Sequence, residues 1–337
     1  MKFSIYQDTE IGGRPVNQDR MGYAYTRDCL LMLVADGMGG HARGEVAAQL
    51  AAQAIADSFH RQARPTLIDP EGFLVQALLH AHEEILAYQI AERLAEPPRT
   101  TMVACIVQGD TAWWAHAGDS RLYLIRDGAA VQRTRDHSRV ETLVALGLLL
   151  PGEASVHPDR NRLHNCLGSP QEPTVELSPP ARLMPGDLLL LCSDGVWSAL
   201  DEERMVQTLG GGGLDRAVPS LVRASIASAG RHADNATALA MRWEGGAGSD
   251  APVAVAGPAD AQAPAVAPSD AQAPAVAPSD AQAPAVALAD GPGDGAAHAD
   301  GCAQGGANGS ATDAVADAAS PAASVAPGSI VEPTRPT

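Results

Sequence analysis

Lysine is almost missing from this chain of 337 residues: it occurs once, at Lys2. A G-x-x-x-x-G-K-[ST] loop needs a lysine after its last glycine, so that nucleotide-binding class is excluded. The phosphate-contacting lysine of protein kinases is excluded with it. Positive charge as a whole is scarce. Against 40 Asp and Glu stand 23 Lys and Arg, for a formal net charge of −17 and no basic tract. Nucleic acid and anionic membrane surfaces are therefore poor partners. No apolar run approaches the roughly 20 residues of a membrane-spanning helix. The start, Met1-Lys2-Phe3-Ser4-Ile5, has no signal-peptide pattern. The five cysteines, Cys29, Cys105, Cys166, Cys192 and Cys302, include no C-x-x-C pair, and three sit inside apolar runs. They read as reduced, buried thiols of a cytoplasmic protein, with neither a disulfide framework nor a zinc site.

Aromatic residues are scarce too, and unevenly placed. All 12 lie between Phe3 and Trp243, and residues 245–337 have none. That tail is rich in Ala, Pro, Gly, Asp and Ser, with 10 acidic residues and one basic residue, Arg335. Without bulky anchors a segment cannot offset the entropy of ordering itself, so a disordered tail is expected over 245–337. Within it, AQAPAVAPSD at 261–270 returns at 271–280, and AQAPAVALAD follows at 281–290. A proline-bearing decapeptide of small residues reads as an extended linker. The folded domain is assigned to residues 1–244, enough for one substantial core.

Within that domain strand and helix patterns alternate. Leu30–Ala35 is a continuous apolar run, short enough for a strand buried on both faces. Val46, Leu50, Ala54 and Ile55 recur at helical spacing, as do Leu74, Leu78, Ala81, Ile85 and Tyr88 in a second helix that Pro97-Pro98 must end. Four short strand-like pieces between Thr101 and Arg133, separated by Gly-Asp and Asp-Gly turns, predict an antiparallel meander. Leu188–Cys192 is another buried strand, followed by two helices over 201–209 and 214–229 and a closing strand over 236–243. The order suggests sheets covered by helices.

The aspartates occupy informative places. LLMLVA ends in Asp36-Gly37, LLLLC ends in Ser193-Asp194-Gly195, and AWWAHA ends in Gly118-Asp119-Ser120. Asp234-Asn235 opens the closing strand, and Asn17-Gln18-Asp19 precedes a strand starting near Met21. Any one Asp-Gly pair is an ordinary turn, and Asp127-Gly128 is read as that. Asp36 and Asp194 differ, because each follows a strand buried on both faces. Several like charges gathered there need cations among them, and lysine is not available. Divalent metals are the economical solution. Oxygen-only ligands favour Mg²⁺ or Mn²⁺ over zinc. The histidines do not suggest zinc either: His80 and His82, two apart on a helix, face different directions and read as solvated. Two hard cations held by carboxylates suit the activation of water against a phosphate ester. Arg14, three residues before Asn17, offers a bidentate fork for the phosphate.

Taken together, R-x-x-N-Q-D (Arg14, Asn17, Gln18, Asp19), V-A-D-G-M-G-G-H (Val34–His41) with Gly44-Glu45, G-D-S-R (Gly118–Arg121), D-H-S (Asp136–Ser138), H-P-x-R-N (His157–Asn161), C-S-D-G (Cys192–Gly195) and D-N-x-T (Asp234–Thr237) occur in one order. The set resembles the bacterial metal-dependent serine/threonine protein phosphatases of type 2C, the PPM family. The resemblance spans about residues 3–243. It implies an α+β fold, a four-layer αββα sandwich of two antiparallel sheets flanked by helices, with two catalytic Mg²⁺ or Mn²⁺ ions and a third, weaker one. It implies that Asp36 bridges both metals, that the Gly37 carbonyl holds the second, and that Asp194 and Asp234 complete the first. It further implies that Asp19 orients the attacking water, that Asp119 with Asp194 forms the third site, and that Arg14 binds phosphate. The segment 137–165 corresponds to the flap that borders the cleft.

Two positions depart from the family pattern. Gln18 stands where many members carry a glutamate near the second metal, which reads as tuning of that site. Met38 stands where animal members have a histidine proposed as general acid. The leaving oxygen then takes its proton from water or from His41, whose alternative role is a hydrogen bond at the start of the following helix. The expected protein is a cytoplasmic monomer that hydrolyses phosphoserine and phosphothreonine on protein substrates and opposes a cognate serine/threonine kinase. The alternatives are a non-catalytic phosphoprotein-binding regulator on the same fold and a metallohydrolase of other phosphate esters.

Overall fold

The computed structural model describes residues 1–38, 43–154, 157–245 and 265–266. The strands are β1 (Lys2–Glu10), β2 (Arg20–Tyr25), β3 (Cys29–Ala35), β4 (Met102–Gln108), β5 (Thr111–Ala117), β6 (Arg121–Arg126), β7 (Ala129–Arg133), β8 (Glu176–Leu177), β9 (Ala181–Arg182), β10 (Leu188–Cys192), β11 (Ala236–Gly245) and β12 (Ala265–Val266). The helices are α1 (Gly44–Gln62), α2 (Pro70–Ala91), α3 (Arg139–Ala145), α4 (Pro151–Ala154), α5 (Asp194–Trp197), α6 (Glu202–Gly210) and α7 (Leu214–Ala229). One sheet has the order β1-β11-β10-β6-β7; the other runs β12-β2-β3-β4-β5-β8, with β9 also on β5. Every strand pair is antiparallel.

Three layers of apolar side chains explain the continuous hydrophobic runs. In β3, Leu30, Met32 and Val34 enter the core between the sheets, whereas Leu31, Leu33 and Ala35 face α1 and α2. In β10, Leu189 and Leu191 point between the sheets, and Leu188, Leu190 and Cys192 pack with residues of α5, α6 and α7. A strand covered on both faces needs no polar alternation. Alanines let the outer helices approach closely: Ala47, Ala48, Ala51 and Ala52 on α1, and Ala236, Ala238 and Ala240 on β11. The αββα layering expected from the family resemblance is therefore present. The cysteines described, Cys29, Cys105, Cys166 and Cys192, are buried and free. Among the described residues no helix is long and apolar enough to cross a membrane.

Several expectations need correction. The meander over 101–133 is two hairpins in different sheets: β4 pairs β5, β6 pairs β7, and β6 pairs β10. The Gly118–Ser120 turn crosses from one sheet to the other. Gly118 makes the crossing possible, with φ +114 and a backbone so close to Thr101 that a Cβ would lie 2.6 Å from the Thr101 Cβ. The helix α2 stops at Ala91, before Pro97-Pro98, with Arg93 in left-handed conformation at φ 54. His82 is buried, not solvated, and its Nδ1 accepts the Gly168 N–H at 3.0 Å. In the tail, Ala265 and Val266 pair with Tyr23 and Gly22 on β2, because that strand otherwise leaves an open sheet edge. The rest of the expected disordered tail lies outside the described residues.

All the strand ends that carry the motifs meet at one end of the sandwich. There β3, β5 and β10 finish, and β2, β4, β6 and β11 begin.

Candidate active site

The aspartates are gathered at that end because each sits where a buried strand runs out. Asp36 leaves β3, and its backbone is clamped to the start of β4. Its N–H donates to Thr101 Oγ1 at 3.1 Å, and its carbonyl accepts from the Thr101 N–H and the Thr100 hydroxyl, both at 2.8 Å. Thr101 Oγ1 also bonds Ser120 Oγ at 2.7 Å, which ties β4 to the crossing turn. Gly37 donates to the Gln18 carbonyl at 3.2 Å and is packed so tightly that a Cβ would lie 2.4 Å from the Gly44 oxygen. Asp194 starts the short helix α5 directly after β10. Asp119 is buried in the crossing turn, where Trp197 Nε1 donates to its carbonyl at 2.9 Å. The Arg121 guanidinium lies 3.6 Å from the Trp197 ring centroid and binds both oxygens of Asp136 at 2.8 and 2.7 Å.

The Arg14 loop is stapled to β11 by one side chain. Asn235 Nδ2 donates to the carbonyls of Ile11 and Val16 at 2.9 and 3.1 Å, and its Oδ1 accepts from the Gln18 N–H at 2.8 Å. This places Arg14 Nη2 2.6 Å from Asp234 Oδ2. Asn17, in the same segment, donates to Thr9 Oγ1 at 2.9 Å. Gln18 reaches Glu45 Oε2, at the start of α1, at 3.1 Å.

Arg14, Gln18, Asp36, Gly37, Asp119, Asp194 and Asp234 line one cavity of about 270 Å³, together with Met38, Thr101, Asn161 and Leu163. Asp19 lies behind this lining, buried, with Oδ2 accepting from Ser193 Oγ at 2.7 Å. His41 lies outside the described residues. The structure thus brings together every other site residue expected from sequence. Glu45, Asn235, Ser193 and Thr101 were not singled out as site residues. The signal for Glu45 was its place in the Gly44-Glu45 motif, and for Asn235 its place beside Asp234. Thr101 and Ser193 are common residue types whose roles come only from packing.

The electrostatics are those of a crowded carboxylate cluster. Burial and then repulsion from Asp19, Asp194, Asp119 and Asp234 hold the Asp36 carboxyl well above the usual range. Asp119 is likewise raised, by burial and then by Asp194 and Asp136. Burial, with repulsion from Asp234 and Asp19, pushes Asp194 up to about 7. Asp19 is pushed up to about 6 by burial, against hydrogen bonds from Ser193 and Thr237 that lower it. Its Oδ1 is buried without a partner. A cluster of hard oxygen donors, mutually repelling and with an unpaired buried oxygen, fits divalent cations such as Mg²⁺ or Mn²⁺.

A second group of potential ligands, His116, His137 and Glu176, lies nearby. Its hydrogen bonds argue against a metal there. His137 Nδ1 accepts the Gly118 N–H at 3.1 Å and contacts Asn165 Nδ2 at 2.6 Å. A neutral His137 therefore keeps its proton on Nε2, where it donates to Glu176 Oε2 at 3.2 Å. No bare nitrogen of His137 is left for a cation. The group instead fastens the turn that carries Asp119.

A family model described as Protein phosphatase 2C matches residues 8–211. The serine/threonine protein phosphatase PstP of Mycobacterium tuberculosis is 38% identical over 201 residues, covering 58% of this chain and 36% of that protein. The chain thus spans about a third of the length of that relative. The serine/threonine phosphatase stp of Listeria monocytogenes is 33% identical over 195 residues, covering 57% of this chain and 77% of that protein. A crystal structure of the PstP catalytic domain in complex with two manganese ions is similar with a TM-score of 0.61 and 30% identity, covering 71% of this chain and 97% of that one. With the same layered sandwich and a family match over most of the folded residues, the chain belongs to the protein phosphatase 2C family.

Proposed function

We propose that the protein is a metal-dependent hydrolase of phosphoserine and phosphothreonine on proteins. The observation that carries this reading is the convergence of Asp36, Asp119, Asp194 and Asp234 on one cavity with Arg14 at its rim. The two manganese ions bound by the PstP catalytic domain support it. Mg²⁺ or Mn²⁺ bound here would supply an ionised water at neutral pH and positive charge for the phosphoryl oxygens. Asp36, Asp194, Asp234 and the Gly37 carbonyl would hold two such ions, and Asp119 with Asp194 a third. Asp19, held by Ser193, would orient the attacking water, and Gln18 would tune the second ion through its bond to Glu45. Arg14 would leave Asp234 and grip the phosphate with its planar fork. Water attacks phosphorus in line, the P–O ester bond breaks, and the serine or threonine oxygen leaves with a proton from solvent or from His41. The substrates would be proteins phosphorylated by a cognate serine/threonine kinase in the cytoplasm, and the enzyme would act as a monomer.

The test is hydrolysis of a phosphothreonine peptide and of p-nitrophenyl phosphate. EDTA should abolish it, and Mn²⁺ or Mg²⁺ should restore it where Ca²⁺ does not. Asp36→Asn should lower the rate at least about a hundredfold while circular dichroism stays native. Full activity after exhaustive chelation would refute the reading. Phosphoprotein binding without turnover would leave the non-catalytic alternative in front.

A further inference from the structure

An open β-sheet has two edges, and an unguarded edge can pair with another chain. Among the described residues, three of the four edges of the two sheets carry a guard. The strand β1 holds Lys2, Asp8 and Glu10 and shifts register against β11 between Lys2 and Phe3. The strand β7 ends in Arg133, and its register against β6 shifts between Leu124 and Ile125. Beyond β5 lie only β8 and β9, of two residues each. The fourth edge is β2, which reads RMGYAY, with no charge after Arg20 and no proline. All six of its residues pair with β3 in unbroken register. On its other side, among the described residues, Tyr23 and Gly22 meet Ala265 and Val266 of the tail.

The strand seated there belongs to the first decapeptide repeat, where the order is Pro264-Ala265-Val266-Ala267-Pro268. Proline has no N–H to give to a ladder, so a proline on each side confines strand pairing to the three residues between. Proline also biases the residue before it towards an extended backbone, which reduces the entropy lost on docking. The register sets a small residue opposite a larger one at both positions, Ala265 with Tyr23 and Val266 with Gly22. The same Pro-Ala-Val-Ala stands at 274–277 and again at 284–287. The chain thus has one such edge and three copies of the sequence that meets it.

We propose that the β2 edge is a docking site for the Ala-Val-Ala unit of the chain's own tail, and that the three tandem copies are interchangeable donors of this sealing strand. The recognition is β-strand addition, in which main-chain hydrogen bonds supply the affinity. The inference stands apart from the phosphatase reading. So short a strand is marginal as a separate molecule, and attachment supplies what it lacks. About 20 residues join Gly245 to Ala265. A flexible linker of that length spans roughly 25 Å and gives a local concentration on the order of millimolar. Each further copy lengthens the linker by one decapeptide. Local concentration falls as about the −3/2 power of length, so relative to the first copy the second counts about half and the third about a third. Displacing any one copy then leaves the edge covered.

The experiment follows amide hydrogen exchange at Gly22 and Tyr23 by NMR in the full chain. Successive residues of a strand turn their N–H groups to opposite sides, so one of the two faces the edge and reports its cover. Ala265→Pro with Val266→Pro removes both donors of the first copy and should leave about half of the edge protection. Adding Ala275→Pro, Val276→Pro, Ala285→Pro and Val286→Pro disables all three copies and should remove it. The amide turned towards β3 should stay equally slow throughout, which establishes that the sheet is intact. Equal exchange at the edge amide in the parent and the fully substituted chain overturns the docking site. Complete loss of protection in the first variant overturns the interchange of copies. Protection that rises with protein concentration, accompanied by dimers in sedimentation, overturns the intramolecular seal, since a second copy would then supply the strand.

Discussion

Removing one buried carboxylate should change stability in opposite directions with and without metal. The Asp194 carboxyl is pushed from 3.8 up to about 7. Its native-state value lies above the unfolded one, so the native state keeps the proton longer. Without metal, stability is then highest at low pH and falls as pH rises from about 4 to about 7. At about 1.36 kcal/mol per pH unit the full penalty reaches about 4 kcal/mol. Burial is the largest cause of that penalty, and the charges of Asp234 and Asp19 add to it. The cluster titrates together, so neutralising one member recovers about half, about 2 kcal/mol. Asparagine at the first residue of α5 gives back about 0.5 kcal/mol of helix-dipole stabilisation. In EDTA at pH 8, Asp194→Asn should therefore melt about 5 °C above the parent protein. At pH 4, where the penalty has not yet set in because the unfolded carboxyl is only beginning to ionise, the two should melt nearly together. With Mn²⁺ at pH 8 the order should reverse, because only the parent gains the full binding stabilisation, about 2.7 kcal/mol at a hundredfold excess over Kd. Thermal unfolding under the three conditions is the assay. A variant less stable than the parent in EDTA at pH 8, or the same difference at both pH values, would refute the picture of a repelling cluster awaiting cations.

Other outcomes follow from the same geometry. Asp119→Asn should lower activity on phosphoproteins yet leave two tightly held metals, which elemental analysis of the purified variant would count. Arg14→Ala should raise KM for phosphate esters about tenfold with little loss of stability, because the Arg14–Asp234 pair is half-exposed, at 50% and 36% of the side chains. Arg14→Lys should recover only part of the loss in the same kinetic assay, since lysine lacks the fork. A chain ending at Glu244 should keep the rate on p-nitrophenyl phosphate and a cooperative melt, and loss of either would move the domain boundary.

Much of the site was legible because it rests on composition. A run such as LLMLVA or LLLLC has one explanation, burial on both faces, and an aspartate at its end then stands out. Other features were not legible, for physical reasons. The strand β1 reads KFSIYQDTE, half-buried and mixed in polarity, so neither period is clean. The Gly118-Asp119 turn looks in sequence like a hairpin. Only the pairing of β6 with β10 shows that it changes sheets and so buries Asp119. His82 reads as a surface residue until the Gly168 loop is folded over it. The bond between Arg14 and Asp234 joins residues 220 apart, and no local pattern encodes it.

The placement of the carboxylates has a mechanical consequence. Asp36 adjoins a strand of one sheet, whereas Asp194 and Asp234 adjoin strands of the other. Cations held between them would rivet the two sheets together at one end. At the opposite end the described residues offer a lighter tie: Arg126 pairs with Asp187 beside its own sheet, at 2.8 and 2.6 Å, and reaches the other sheet through a hydrogen bond to the Arg182 carbonyl at 2.9 Å. Stiffness should then grade along the sandwich like that of a hinged book. Amide hydrogen exchange on metal loading would slow most at the first residues of β4, β6 and β11, and least at the turns after β4 and β6.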